Sequence, residues 1–380
     1  MPRLLLSVGD TSGDHHAARL VTRLSGLVPG LGVEGHGGPA LAAAGCTIHT
    51  DLVRQSIFGI RGALAALPEM FGVLRATAGV FDRHRPDLVV LVDYPGFNLY
   101  VARMAHRRGI PVVYFVAPQL WAWAPWRARR FARVVDEALV IFPFEEGFFR
   151  RYGLPAHHVG HPLLDGLPHD AAGVAALRDP TIVARPLPVA LLPGSRGREV
   201  LRLMPLFLAT AARLRERHPQ ASFHAAHVSP VQRQALAEHA RAAGVPLEIH
   251  GDDVHGVMAS CRAALVASGT ATLETALLGT PLVVAYHITT WERILTDQLL
   301  VPPHVGQVNL VAGRRICPEV ILPDEDVTPL VAALEPLLRD GPERAAQLEA
   351  LAGLLRRMSG PGAVERAAGR IAARLLPAGA

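Results

Sequence analysis

The chain has 380 residues, half of them hydrophobic, and a formal net charge of +5; this predicts two domains with two apolar cores, and a mild bias towards anionic partners. Its longest uncharged apolar runs fall far short of the roughly 20 residues of a membrane span, and the N-terminal run reaches Asp10 too early for a signal peptide, so a cytoplasmic protein is expected. Cys46, Cys261 and Cys317 lack any Cys-x-x-Cys spacing, which indicates buried thiols rather than disulfides or a zinc site, and the absence of lysine excludes a Walker or Schiff-base lysine.

Arg3 to Val8 reads as a buried strand, followed by the polar turn Gly9-Asp10-Thr11-Ser12-Gly13-Asp14 and a helical pattern from His15 to about Leu24. Gly35-His36-Gly37-Gly38 is another turn where backbone can approach a ligand closely. From Ile57 to Leu74 apolar residues fall at helical spacing on every face, which fits burial in a core or contact with lipid. Asp87 to Val92 is the strongest buried parallel strand and runs into Asp93-Tyr94-Pro95-Gly96-Phe97-Asn98. A carboxylate at the carboxyl end of a central strand stands where such sheets bind ligands, which makes Asp93 the candidate general base. The alternative is that Asp93 caps the helix beginning near Phe97 or binds turn amides.

Ile110 to Val116 is the next strand. The loop after it holds Gln119, Trp121, Trp123 and Trp126 beside Arg127, Arg129, Arg130 and Arg133. These residues suit stacking on single-stranded bases, a membrane interface, or packing of the loop on its own domain with a solvated basic helix. Ala138 to Ile141 and Phe142-Pro143-Phe144-Glu145 lead to a short helix and then to Val159-Gly160-His161-Pro162. Between Asp170 and Pro188 the pattern loosens, and the domain boundary is placed there.

Strands at Val189 to Leu192, Ser222 to His227, Leu247 to His250, Ala263 to Ala267 and Leu282 to Ala285 alternate with helical patterns, as in a doubly wound parallel sheet. The first passes through Pro193-Gly194-Ser195-Arg196-Gly197-Arg198 into a helix from Glu199 to about Arg217. Orphan N–H groups and the helix dipole favour an anion there, and Arg196 can clamp it, so phosphate or diphosphate is the natural guest. Ser268-Gly269-Thr270 repeats the device, with Glu274 one turn in and able to accept from ribose hydroxyls. Two such turns in one sheet point to a nucleotide diphosphate, although each alone is also an ordinary turn. Asp324-Glu325-Asp326 reads as helix capping rather than a metal-binding Asp-x-Asp. Pro329 to Leu376 is helical, with breaks near Gly341-Pro342 and Ser359 to Gly362.

The ordered motifs Thr11-Ser12-Gly13-Asp14, Val92-Asp93-x-Pro95-x-Phe97-Asn98, Ala117-Pro118 with Trp121-Ala122-Trp123, Pro143-Phe144-Glu145, Val159-Gly160-His161-Pro162, Leu192-Pro193-Gly194-Ser195-Arg196, Ala267-Ser268-Gly269-Thr270 with Leu273-Glu274, and Asn309-Leu310-x-Ala312-Gly313 resemble bacterial lipid-A-disaccharide synthases. The resemblance implies an α/β protein of GT-B architecture, with two Rossmann-like doubly wound parallel-sheet domains facing a cleft. Residues 1–168 would form the acceptor and catalytic domain, which associates with the membrane, and residues 188–325 the UDP-sugar domain. Residues 326–380 would be C-terminal helices packing on the first domain or on a dimer partner.

The implied reaction is inverting transfer of 2,3-diacylglucosamine from its UDP derivative to 2,3-diacylglucosamine 1-phosphate. The implied partners are the UDP-sugar donor, the lipid acceptor, the inner face of the cytoplasmic membrane and a second copy of the chain, with no nucleic acid, cofactor or metal. By the same resemblance Asp93 is the base. Gly194, Ser195, Arg196, Glu199, Ser268, Gly269, Thr270, Glu274 and Asn309 serve the nucleotide sugar. Ser12, Gly13, Asp14, Asn98, Gln119, Trp121, Trp123 and His161 serve the acceptor side. The chain departs from the family's pattern at Gly96, Ala117, His287, Val308 and Leu322. These departures leave open another UDP-sugar or glycolipid acceptor, an epimerase-like reaction, or a non-catalytic binder of anionic membrane or nucleic acid.

Overall fold

The computed structural model describes residues 1–54, 67–168, 170–194, 197–227, 230–251, 253–287, 304–323, 325–358 and 360–376, with the side chains of 67–69, 123, 197 and 198 outside that description. The chain divides into two compact units, Met1–Asp165 with Gly360–Ala380, and Gly166–Ser359.

The first unit carries a parallel sheet of β1 (Arg3–Ser7), β2 (Gly32–Gly37), β3 (Thr47–Asp51), β4 (Leu88–Val92), β5 (Val112–Phe115), β6 (Glu137–Val140) and β7 (Ala156–His158), in the order β3-β2-β1-β4-β5-β6-β7. Its central strands are buried on both faces, which is why they read as unbroken apolar runs. Side chains alternate across the pleat. Leu5, Val89, Leu91, Val112 and Tyr114 enter one core, and Leu4, Leu6, Val90, Val113 and Phe115 the other.

The second unit repeats the plan with β8 (Leu187–Leu192), β9 (Ala221–Ala226), β10 (Leu247–His250), β11 (Ala263–Ala267), β12 (Leu282–His287) and β13 (Glu319–Leu322), in the order β10-β9-β8-β11-β12-β13. Val189, Leu191, Leu265 and Val283 pack with Met204, Phe207 and Leu330 into one core. In both sheets the order reverses beside the first strand, between β1 and β4 and between β8 and β11, and ligand crevices open at the carboxyl ends of such pairs.

The helices after residue 326 do not act as one block. Thr328–Leu334 and Pro342–Arg357 stay with the second unit, whereas Ala363–Leu375 belongs to the first. That last helix buries Val364, Ala367, Ala368 and Ile371 in the core that holds Leu4 and Leu6. The Asp165 carboxylate receives the N–H groups of Gly362, Ala363 and Val364 at 2.6, 3.1 and 2.7 Å, an anchor at the positive helix end. Buried Glu137 takes Arg370 Nε and Arg374 Nε, each at 2.5 Å.

Of the apolar stretch 57–74, residues 57–66 lie outside the described residues and the remainder opens the helix Leu67–His84. The three cysteines are free and buried. Asp326 Oδ1 accepts from Thr328 N at 2.9 Å, at the first residue of the helix Thr328–Leu334, whose cap position is Val327; Asp324 lies outside the description. Among the described residues no helix is long and apolar enough to cross a membrane.

Candidate functional site

Asp93 stands directly after β4 and Val116 directly after β5, its neighbour in the sheet. Asp93, Tyr94 and Val116 have φ of 46°, 49° and 55°, a region that bulky and β-branched residues avoid. Strain of about 1–3 kcal/mol per residue persists only where surroundings over-determine it, and it gathers at functional sites. Here the surroundings are explicit. Asp93 N donates to Phe115 O at 3.2 Å, while Asp93 O accepts from Tyr114 Oη at 2.6 Å and Asn98 Nδ2 at 2.8 Å. Burial, reinforced by the Asp93 charge, pushes the Tyr114 phenol far above its ordinary pKa, so it remains a proton donor. The helix Pro95–His106 begins at Pro95 with Tyr94 as its cap.

Asn98, expected on the acceptor side, makes its bonds within the protein. It is fully buried; its Oδ1 accepts from Ser7 Oγ at 2.7 Å, and its Nδ2 also reaches Ser7 O and Val92 O at 3.2 Å. It ties β1 to the strained turn. Gly9 completes the contact, because a Cβ there would lie 2.3 Å from the Tyr94 ring.

Asp14 is likewise buried and structural, accepting from Gly38 N at 2.7 Å and Ala40 N at 3.0 Å. Gly13 N donates to the Asp10 carboxylate at 3.2 Å, capping the helix Thr11–Leu27. Ser12 Oγ, half-buried, lies 3.3 Å from His16 Nε2. His161 is buried, its Nδ1 accepting from Leu163 N at 3.3 Å. Burial and the neighbouring His16 drop the His161 pKa to about 3, and burial takes His16 to about 4, so both imidazoles are neutral near pH 7.

Gln119 is half-buried at the start of the turn Leu120–Trp123. Trp121 packs edge-on against Phe144 at 4.8 Å and donates its Nε1–H to Glu145 at 2.9 Å. Thus Trp121 follows the packing alternative; the Trp123 side chain lies outside the description. Glu145, which sequence reasoning placed in a motif without a role, also accepts from Ile141 N and Phe142 N at 3.1 and 3.0 Å. Burial raises its pKa to about 7, against the pull of these three donors. Trp126 and Arg127, Arg129, Arg130 and Arg133 are exposed.

In the second unit β8 ends at Pro193-Gly194, and the register Leu192↔Val266 sets that turn beside Ser268. Gly194 has φ of 100°, the left-handed region that favours glycine, and a Cβ on it would displace the Glu199 carboxylate. Gln232 Nε2 donates to Gly194 O at 2.8 Å. Ser195 and Arg196 lie outside the described residues. The helices Gly197–Arg217 and Thr270–Leu277 both start at this rim, and Gly269 caps the second without a side-chain bond. Glu274 is half-buried and lies 3.5 Å from His255 Nε2.

Asn309, expected on the nucleotide-sugar side, is tied into the second unit. Fully buried, it donates to Cys317 O and Glu319 Oε1 at 2.9 and 2.8 Å and accepts from Ile316 N and Cys317 N. Glu319 holds Val305 N and Gly306 N at 3.0 and 2.9 Å, and Val305 O accepts from Ser268 Oγ at 2.9 Å. Asn309 thus supports the Ser268 turn through Glu319 and the 305–306 backbone, a chain of contacts with no sequence spacing to announce it.

The family model described as lipid-A-disaccharide synthetase matches residues 4–359. Lipid-A-disaccharide synthase of Geobacter metallireducens is 34% identical, over 97% of this chain and 96% of the relative. That of Anaeromyxobacter sp. strain K is 39% identical, over 96% of each. Among solved structures, UDP-GlcNAc 2-epimerase from Neisseria meningitidis, bound to UDP-GlcNAc, has a TM-score of 0.62 at 14% identity, covering 98% of this chain and 99% of that one; at that identity the likeness speaks for the fold. The α/β architecture of two doubly wound parallel sheets and the near end-to-end match agree, and the chain belongs to the lipid-A-disaccharide synthase family of glycosyltransferases.

Proposed function

We propose that the chain condenses UDP-2,3-diacylglucosamine with 2,3-diacylglucosamine 1-phosphate, releasing UDP, with Asp93 as general base. The observation that carries this reading is a carboxylate held on a strained turn at the switch point of the first sheet. Asp93 removes the proton of the acceptor's 6-hydroxyl as that oxygen attacks the anomeric carbon from the face opposite UDP. The C1–O bond to the diphosphate breaks, and its charge falls on the paired helix N-termini after β8 and β11, where Gly194, Ser195, Arg196, Gly269 and Thr270 supply N–H groups and a guanidinium. Glu199 and Glu274 take the nucleotide's hydroxyl groups, and Gln119 and Ser12 line the acceptor side.

The acceptor is a lipid, and the first unit offers a surface to meet a membrane. Phe71, Tyr100 and Trp126 are 62%, 42% and 61% exposed, beside Arg103, Arg127, Arg129, Arg130 and Arg133. Aromatic rings and arginines together suit an interface with anionic headgroups. Co-sedimentation with phosphatidylglycerol vesicles is expected at low salt, weakening as salt screens the arginines; recovery wholly in the supernatant would remove the membrane role.

The reaction is tested by incubating the purified chain with both lipids in detergent micelles and reading products by mass spectrometry. A disaccharide 1-phosphate with stoichiometric UDP is expected. UDP release with a different glycolipid acceptor, or a UDP-sugar isomer without transfer, would replace this substrate assignment.

A further inference from the structure

We infer that the second unit carries a divalent metal site of zinc type on the face of its sheet at β9 and β10, formed by His224, Glu248 and His250. The register pairs His224 with Glu248 and Ala226 with His250. Side chains two apart share a face, so Ser222, His224, Glu248 and His250 project together, opposite the face whose Phe223 and Ala225 enter the main core. His224 Nδ1 lies 3.1 Å from His250 Nε2 and 3.8 Å from Glu248 Oε2. All three ligand atoms fall within 4.8 Å of one another. Ligands about 2.0–2.2 Å from a tetrahedral ion stand slightly over 3 Å apart, and two imidazoles with one carboxylate are a recurrent zinc set.

The outer contacts strengthen the assignment. A metal-binding histidine usually gives its other nitrogen to a fixed partner, which sets the tautomer and the ring plane. His224 Nε2 lies 2.9 Å from Ser222 Oγ, His250 Nδ1 lies 4.0 Å from Asp179 Oδ2, and Glu248 Oε1 takes Arg185 at 2.6 Å. His224 and Glu248 therefore each have their second polar atom held by a partner, while Asp179 stands near the second nitrogen of His250. An ion there would bind the edge strand β10 and the 179–185 segment to β9. The site spans β9 and β10, whereas the switch point lies between β8 and β11. No local spacing signals it: His224 is distant in sequence from Glu248 and His250, and the cluster exists only through strand pairing.

The test uses the full chain, stripped with chelator and titrated with Co²⁺ and Zn²⁺, reading cobalt d–d absorption, calorimetric stoichiometry and melting temperature. One ion per chain with a tetrahedral cobalt spectrum, displaced by zinc, is expected, with a higher melting temperature. The half-exposed ligand Glu248→Gln and His250→Gln keep the buried His224 in place; each is expected to weaken binding at least about tenfold and to remove the thermal shift. Binding below one equivalent, a six-coordinate spectrum, or unchanged affinity in both variants would overturn the site and leave the contact as a hydrogen bond between two imidazoles.

Discussion

At the residue scale, the strained turn after β4 depends on groups far away in sequence. Asn98→Ala removes a buried amide that serves Ser7 and three backbone carbonyls. Stranding those partners is expected to cost about 3 kcal/mol of stability, and turnover should fall more than UDP binding because Asp93 loses its clamp. Chemical unfolding with parallel kinetics checks this; unchanged stability would mean that the Asp93–Tyr94 turn is held without Asn98. Gly9→Ala drives a methyl into the Tyr94 ring and is expected to destabilise by about 1–3 kcal/mol, read as a lowered urea midpoint. Asp93 stands out in the sequence as the candidate base because a carboxylate ends an apolar run. Asn98, Asp14 and Asn309 stand out in the sequence as polar residues, whereas the buried bonds they make do not. Their partners Ser7, Gly38 and Glu319 meet them only after the sheets have formed, and polarity alone does not separate a ligand contact from a buried clasp.

At the element scale, alternating apolar runs and helical periods exposed both parallel sheets, since strands buried on both faces leave a strong signal. The path of the last helix was hidden. An amphipathic pattern says that Ala363–Leu375 buries one face, and not which core receives it; Asp165, Glu137 and the core around Leu4 decide that. Deleting residues 360–380 would uncover this core and leave the Glu137 carboxylate buried without its arginines. The truncated chain is expected to lose cooperative unfolding of the first unit while the second still melts, as followed by hydrogen exchange. Two unaltered transitions would show that the returning helix is dispensable. Glu145 illustrates the same limit: its motif was visible, whereas its hold on Trp121 required the loop after β5 to fold back over the helix Pro143–Arg150.

At the scale of the whole molecule, buried histidines make stability depend on pH. Burial lowers His16 and His36 to about 4 and His161 to about 3, from 6.5. Their contribution is fully present above pH 6.5 and is lost as pH falls towards those folded values, because the unfolded chain takes up protons first. Glu145, raised from 4.5 to about 7, acts oppositely and costs stability as pH rises through that window. With His224 likewise lowered to about 4, these imidazoles outweigh Glu145 and leave net proton uptake on unfolding near pH 5–6. The melting temperature is therefore expected to climb from pH 5 to 7, with a shallower slope in His161→Asn; a flat profile would contradict the neutral buried imidazoles. By the proposed mechanism the carboxylate after β4 does the chemistry while the second sheet holds UDP. The most direct test compares Asp93→Asn with the unaltered chain, measuring UDP affinity by calorimetry and disaccharide formation by mass spectrometry. UDP affinity should hold within about twofold while turnover drops by about 10²–10⁴. Full turnover in the variant, or loss of UDP binding in step with activity, would contradict the account.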